Sequence, residues 1–136
     1  MPSHWSDAYI GRAYIDVEFD CAELSRLVQA EVFHRVIALP TERTYRGLTG
    51  PAKVRAMRDQ LAACKDDYGV RTSAPVDGDA ALIRSRGRID HIGTYCLIGG
   101  EPWVLHAAAG INQVIRTRVR DLELYGYALE GYYTWK

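Results

Sequence analysis

Hydrophobic residues in the first third of the chain recur at helical spacing. Leu24, Leu27, Val28 and Val32 line up on one apolar stripe within residues 21–34. Asp20 followed three positions later by Glu23 matches a capping box, which predicts a helix whose first residue is Cys21. A polar, turn-prone stretch, 40–50, separates it from a second expected helix. Pro51 suits a first turn, Val54, Met57, Leu61, Cys64 and Tyr68 follow at three- and four-residue steps, and Gly69 marks a stop. The period then changes. Segments 80–84, 91–98, 102–107 and 127–135 are short, β-prone and bounded by Gly, Pro or Asp. Helices first and strands afterwards predict an α+β domain, with N-terminal helices packed on a central antiparallel sheet.

One register follows from the residues themselves. Ile98-Gly99-Gly100-Glu101 carries a Gly-Gly pair, a favoured two-residue hairpin turn. Pairing Ile98 with Glu101 sets Gly93 opposite His106, and His91 lies on the same face as Gly93. The two histidines become diagonal neighbours with Cα atoms roughly 7–8 Å apart. A bulge or an odd loop would turn them to opposite faces.

Cys21 shares its stripe with Leu24 and Val28 and so points toward the sheet. Backbone amides and the positive end of the helix dipole favour thiolate at that position. Cys21 is therefore a candidate nucleophile, His91 a candidate base, and His106 the residue that orients its ring, with the Cys21 amide helping to hold an oxyanion. The same residues also admit plainer roles: a small buried thiol, structural histidines, or a Cys21–His91–His106 zinc set that lacks the short ligand spacing of dedicated sites. Cys64 completes an apolar stripe and Cys96 has the opposite strand parity to His91, so both are assigned to the core. Arg116, Arg118 and Arg120 alternate at strand spacing, as on a solvated face.

Composition narrows the partners. At 136 residues a single domain, 1–136, is expected. Seventeen Lys and Arg against seventeen Asp and Glu leave no net charge, so nucleic acid is not an expected partner. No run of about 18 apolar residues predicts a membrane span. No basic stretch followed by an apolar block opens the chain, which predicts a protein made in the cytoplasm without a signal peptide.

Five blocks in order carry a resemblance: Tyr9-Ile10-Gly11-Arg12-Ala13-Tyr14, Asp20-Cys21-Ala22-Glu23-Leu24, Pro75-Val76-Asp77-Gly78-Asp79-Ala80-Ala81-Leu82, His91-Ile92-Gly93-Thr94-Tyr95 and Val104-Leu105-His106-Ala107. Gly131-Tyr132-Tyr133 adds a terminal strand. Together they resemble the NlpC family of papain-like cysteine peptidases over nearly the whole chain. The resemblance implies a papain-like NlpC-type fold, with Cys21 as nucleophile, His91 as base and His106 as orienting residue. It further implies hydrolysis of peptidoglycan stem peptides, typically between the γ-carboxyl of D-glutamate and a diamino acid, through an acyl-enzyme and without a cofactor. Asp20 and Tyr14 become candidate contacts to the free stem-peptide amine.

Two departures from the family pattern bear on substrate preference. Ala22-Glu23 replaces the usual small pair after the nucleophile, and Asp16-Val17-Glu18 replaces a common Gly pair before it. A small domain without a signal or wall-binding module resembles the branch found with phage and prophage tails. That implies tail-tip proteins as partners, a place in the virion tail, and action in the host periplasm or cell wall. The alternatives are a tail-assembly protein that keeps the fold without hydrolysing wall, and an amidase or acyltransferase on another substrate. The 40–68 region is compatible with either a lid or a plain cover for the sheet.

Overall fold

The computed structural model describes residues 3–13, 21–37, 52, 67–85, 88–108 and 111–136. Its elements are a 3-10 helix Trp5–Tyr9, helix α1 (Cys21–Glu31), strands β1 (Gly69–Thr72), β2 (Ala80–Ser85), β3 (Arg88–Ile98), β4 (Glu101–Ala108) and β5 (Gln113–Arg118), a second 3-10 helix Val119–Tyr125, and β6 (Tyr127–Trp135). The strands form one six-stranded sheet in the order β1-β6-β2-β3-β4-β5, every pairing antiparallel. The fold is α+β, as the change of period predicts. Helix α1 begins at Cys21, as expected. Asp20, Tyr14, Cys64, the 40–50 stretch and nearly all of the expected second helix lie outside the described residues. No helix among the described residues is long and apolar enough to cross a membrane.

The β3–β4 hairpin has the expected register, Ile98↔Glu101 through Thr94↔Leu105. Gly99 and Gly100 turn it at φ 59° and 79°, the left-handed pair that a two-residue turn of this twist requires. One step further along the ladder, a Cβ added to Gly93 would overlap the Val104 side chain and lie 2.9 Å from the Leu105 carbonyl oxygen and 3.3 Å from His106 Cβ. Glycine there is what lets β3 and β4 close beside the histidines.

Alternation gives the sheet two faces. On one, Ala80, Leu82 and Ile92 pack with Ala22, Tyr133 and Trp135, while Cys96, Leu105, Ala107 and Val114 pack with Tyr9, Leu24 and Val28. This is the helix face. Burying Leu24 and Val28 fully contributes about 1.5–3 kcal/mol each. Gln29, buried on the same helix, donates Nε2 to the Gly78 carbonyl (2.8 Å), which also accepts from Trp135 Nε1 (3.0 Å). The turn leading into β2 is thereby tied to both α1 and β6. Asp79 tightens that turn by accepting the Val76 amide at 2.9 Å.

The other face carries Ala81, Ile83 and Val104 under Leu122, with Val119, Tyr127, Leu129 and Tyr132 packed around them. β6 reaches this face by a bulge. Its register with β2 shifts from Leu82↔Gly131 to Ile83↔Leu129, so Glu130 is the extra residue and the parity of β6 reverses there. Tyr127 and Leu129 before the bulge thus share a face with Tyr132 after it. Arg71 on β1 bonds the Glu130 carboxylate and carbonyl, both at 2.9 Å, holding the bulge in place.

Candidate active site

His91 on β3 and His106 on β4 meet on this second face. Their Nε2 and Nδ1 atoms are 2.7 Å apart, with ring centroids at 4.9 Å and planes 75° apart. His106 Nε2 lies 3.0 Å from Thr117 Oγ1 on β5, so a hydrogen-bonded chain crosses three strands. Tyr127 covers the pair, stacked on His91 at 5.3 Å and edge-on to His106 at 5.7 Å. His91 is 8% exposed and His106 fully buried.

Burial, with the neighbouring imidazole as a lesser cause, holds His91 well below the usual imidazole range, and burial does the same for His106. The pair is neutral at pH 7. The remaining ring nitrogen, His91 Nδ1, makes no hydrogen bond to any described residue. The chain therefore has a closed end at Thr117 and an end available for a proton at His91.

Cys21 is not brought to that end. It is half-buried at the start of α1 and packs with the clusters of the helix face. His91 and His106 share strand parity with Ile83 and Val104, whereas α1 packs on Ile92, Leu105 and Ala107, one residue out of phase. The sheet backbone lies between. Of the three residues expected to meet, the structure brings His91 and His106 together, while the helix that carries Cys21 packs on the opposite face of the sheet. Neither does the zinc alternative assemble, for no group of three His, Cys, Asp or Glu among the described residues is placed to hold a metal ion.

Cys96 is fully buried on the helix face, where burial pushes its thiol up to about 12, in keeping with its assignment to the core. Asp20 and Tyr14 fall outside the described residues.

Of the three arginines, Arg120 is exposed and Arg118 partly so, as on a solvated face, while Arg116 departs from it. Arg116 donates to Ser6 Oγ at 2.7 Å and pairs with Asp7, and its guanidinium lies 5.6 Å from the Trp103 ring centre. Arg118 lies 5.0 Å from the same ring, and Glu101 pairs with both Arg118 and Arg120. The reason is the β4–β5 register, which sets Trp103 opposite Arg118 and gives the guanidiniums an aromatic surface to cover.

Sequence reasoning missed Thr117 and Tyr127. Thr117 is visible only once the β4–β5 register is known, and that hairpin turns through residues without a paired-glycine signal. Tyr127 faces the histidines only because of the bulge at Glu130.

An antiparallel sheet with one apolar face under a helix and a buried imidazole pair on the other is the class that fold and site define. No family model, no curated protein and no solved structure matches the chain.

Proposed function

We propose that the chain is a papain-like, NlpC-type cysteine peptidase that hydrolyses peptidoglycan stem peptides at a γ-D-glutamyl-diamino acid bond, as a tail-tip component of a phage or prophage. The observation that supports this reading is the 2.7 Å hydrogen bond between His91 and His106, the base and the orienting residue of the resembling blocks. On this reading, which requires the start of α1 to move so that its thiol reaches the histidine face, His91 Nδ1 takes the Cys21 thiol proton, and the thiolate sulfur bonds to the scissile carbonyl carbon. The leaving amine departs with that proton, and water releases the acyl group with His91 again as base. Asp20 and Tyr14 hold the stem-peptide amine. No cofactor enters the reaction.

A second reading is favoured by one observation, the packing of α1 and the histidines on opposite faces. On it the chain is a tail-assembly or tail-tip structural protein that keeps the arrangement without hydrolysing wall. Digestion of purified peptidoglycan by the wild type, Cys21→Ala and His91→Ala, with mass spectrometry of released muropeptides, separates the two. Peptide ends released by the wild type alone support the peptidase and name its bond. No release from any wall type, by folded protein, leaves the structural reading.

A further inference from the structure

We infer that the outer edge of β5 is a docking site for an extended acidic segment of a partner protein, which adds to the sheet as a further strand. The inference is independent of the reading of the histidines. β5 ends the strand order, so one of its edges pairs with no other strand among the described residues. At the 113–114 end of that edge the chain itself shows what the edge accepts. Ala13 bridges Gln113 in antiparallel sense, Val114 N donates to the Arg12 carbonyl at 2.7 Å, and Gly11 N donates to the Val114 carbonyl at 2.9 Å. Val114 thus aims its backbone groups outward, and strand alternation aims the N–H and C=O of Arg116 and the N–H of Arg118 the same way. The earlier part of the chain has by then left the edge for the 3-10 helix Trp5–Tyr9, and no backbone group of a described residue bonds to these three.

A cleft of about 390 Å³ follows this edge and touches residues 113–117 without a break. A cleft on one face of a strand meets alternate residues, so contact with consecutive ones places it along the edge, over the backbone. Its rim is apolar and open: Ile10 and Ile111 are each 44% exposed and Tyr125 52%. Strand addition uses both features, backbone bonds for affinity and side-chain pockets for choice. Charge selects the occupant. Arg116 and Arg118 stand opposite Leu105 and Trp103 and share their face. Asp7 pairs with Arg116, but a single carboxylate, Glu101, serves both Arg118 and Arg120, and Arg118 Nε makes no hydrogen bond, reaching Glu101 only at 3.5 Å. A strand with carboxylates across from these arginines and apolar side chains toward Ile111, Ile115 and Tyr125 suits both faces. A second copy of β5 does not, because pairing through the open end sets guanidinium against guanidinium.

The test titrates a capped octapeptide of alternating aspartate and valine, with a lysine–valine octapeptide as control, into 15N-labelled protein. The acidic peptide should shift amide signals along 113–118 and at Ile10 and Tyr125, and slow hydrogen exchange at the Arg116 and Arg118 amides. It should bind more tightly than the basic one, by a margin that narrows as salt is added. Two variants separate backbone from charge. Arg118→Gln and Arg118→Pro both remove the guanidinium, and only the second removes the outward N–H; Arg118 already has φ −59°, which proline adopts. Arg118→Pro should bind the acidic peptide about five-fold more weakly than Arg118→Gln, as one net hydrogen bond requires. Equal affinities of the two variants overturn the strand pairing. Shifts centred elsewhere, no saturable binding, or equal affinity for the acidic and basic peptides overturn the inference as well. Two results in the free protein do so without peptide or variant: strong exchange protection of the Arg116 amide, which means that the edge is already covered, and a concentration-dependent dimer with shifts along β5, which makes a second copy the occupant. None of these readouts depends on muropeptide release.

Discussion

Acid should destabilise the protein through the histidine pair, by an amount that can be worked from the burial. Folded, both imidazoles are held neutral well below the usual range by desolvation. Unfolded, each titrates near 6.5. The unfolded chain therefore binds more protons as pH falls, so stability is fully present above about pH 6.5 and declines below it. Between pH 7 and pH 5 a histidine that stays neutral in the fold costs about 2 kcal/mol, and two cost about 4 kcal/mol. The figure is an upper bound, because any proton that the fold admits to either ring reduces the loss. That is a large fraction of the 5–15 kcal/mol typical of whole domains. Urea unfolding at pH 7, 6 and 5 measures it, with His91→Gln/His106→Gln as reference, so that carboxylates and the remaining histidines cancel. The wild type should lose about 2–4 kcal/mol more than the double variant over that range. Equal losses would refute the assignment of a buried neutral pair.

Three further outcomes follow from the packing. Gly93→Ala should destabilise by about 1–3 kcal/mol, because its methyl meets Val104 and the Leu105 carbonyl; denaturation midpoints check this, and an unchanged midpoint would show the strands can part freely. Leu24→Ala, which empties a side chain 1% exposed between α1 and the sheet, should cost about 2–5 kcal/mol in the same assay. A thiol reagent at neutral pH should label Cys21 well before Cys96, whose thiol is buried and pushed up to about 12, as read by mass mapping of the labelled peptides; faster labelling of Cys96 would contradict its burial.

The legible part of the sequence was what depends on local chemistry. A Gly-Gly turn fixed a hairpin register, parity then put His91 beside His106, and the capped apolar stripe placed the start of α1 at Cys21. What was not legible depends on long-range choices. Apolar alternation in β2 to β4 shows that a helix stripe must cover one face, yet both faces are apolar enough to be covered: Ala80 and Leu82 turn one way, Ala81 and Ile83 the other, and all four are buried. Nothing local says which face α1 takes. Likewise Tyr127 reads as packing until the extra residue Glu130 turns it toward His91.

The face that α1 takes decides between the two functional readings, and the register makes it hard to change by the strands. A one-residue slip of β3 and β4 would bring the histidines under α1, but it would also turn Ile92, Cys96, Leu105 and Ala107, each at most 2% exposed, away from the helix. Burial at that many positions opposes the slip. If Cys21 reaches His91 during a reaction, the movement belongs to the end of α1 rather than to the sheet. Nuclear Overhauser contacts test this directly: the arrangement predicts contacts from the Ala22 methyl to Ile92 and from the His91 ring to the Tyr127 ring, and none from the Cys21 β-protons to His91. A Cys21–His91 contact in the free protein would refute the separation of the faces and remove the argument for a non-hydrolytic role; its appearance only with a stem peptide bound would make α1 the moving part of a peptidase.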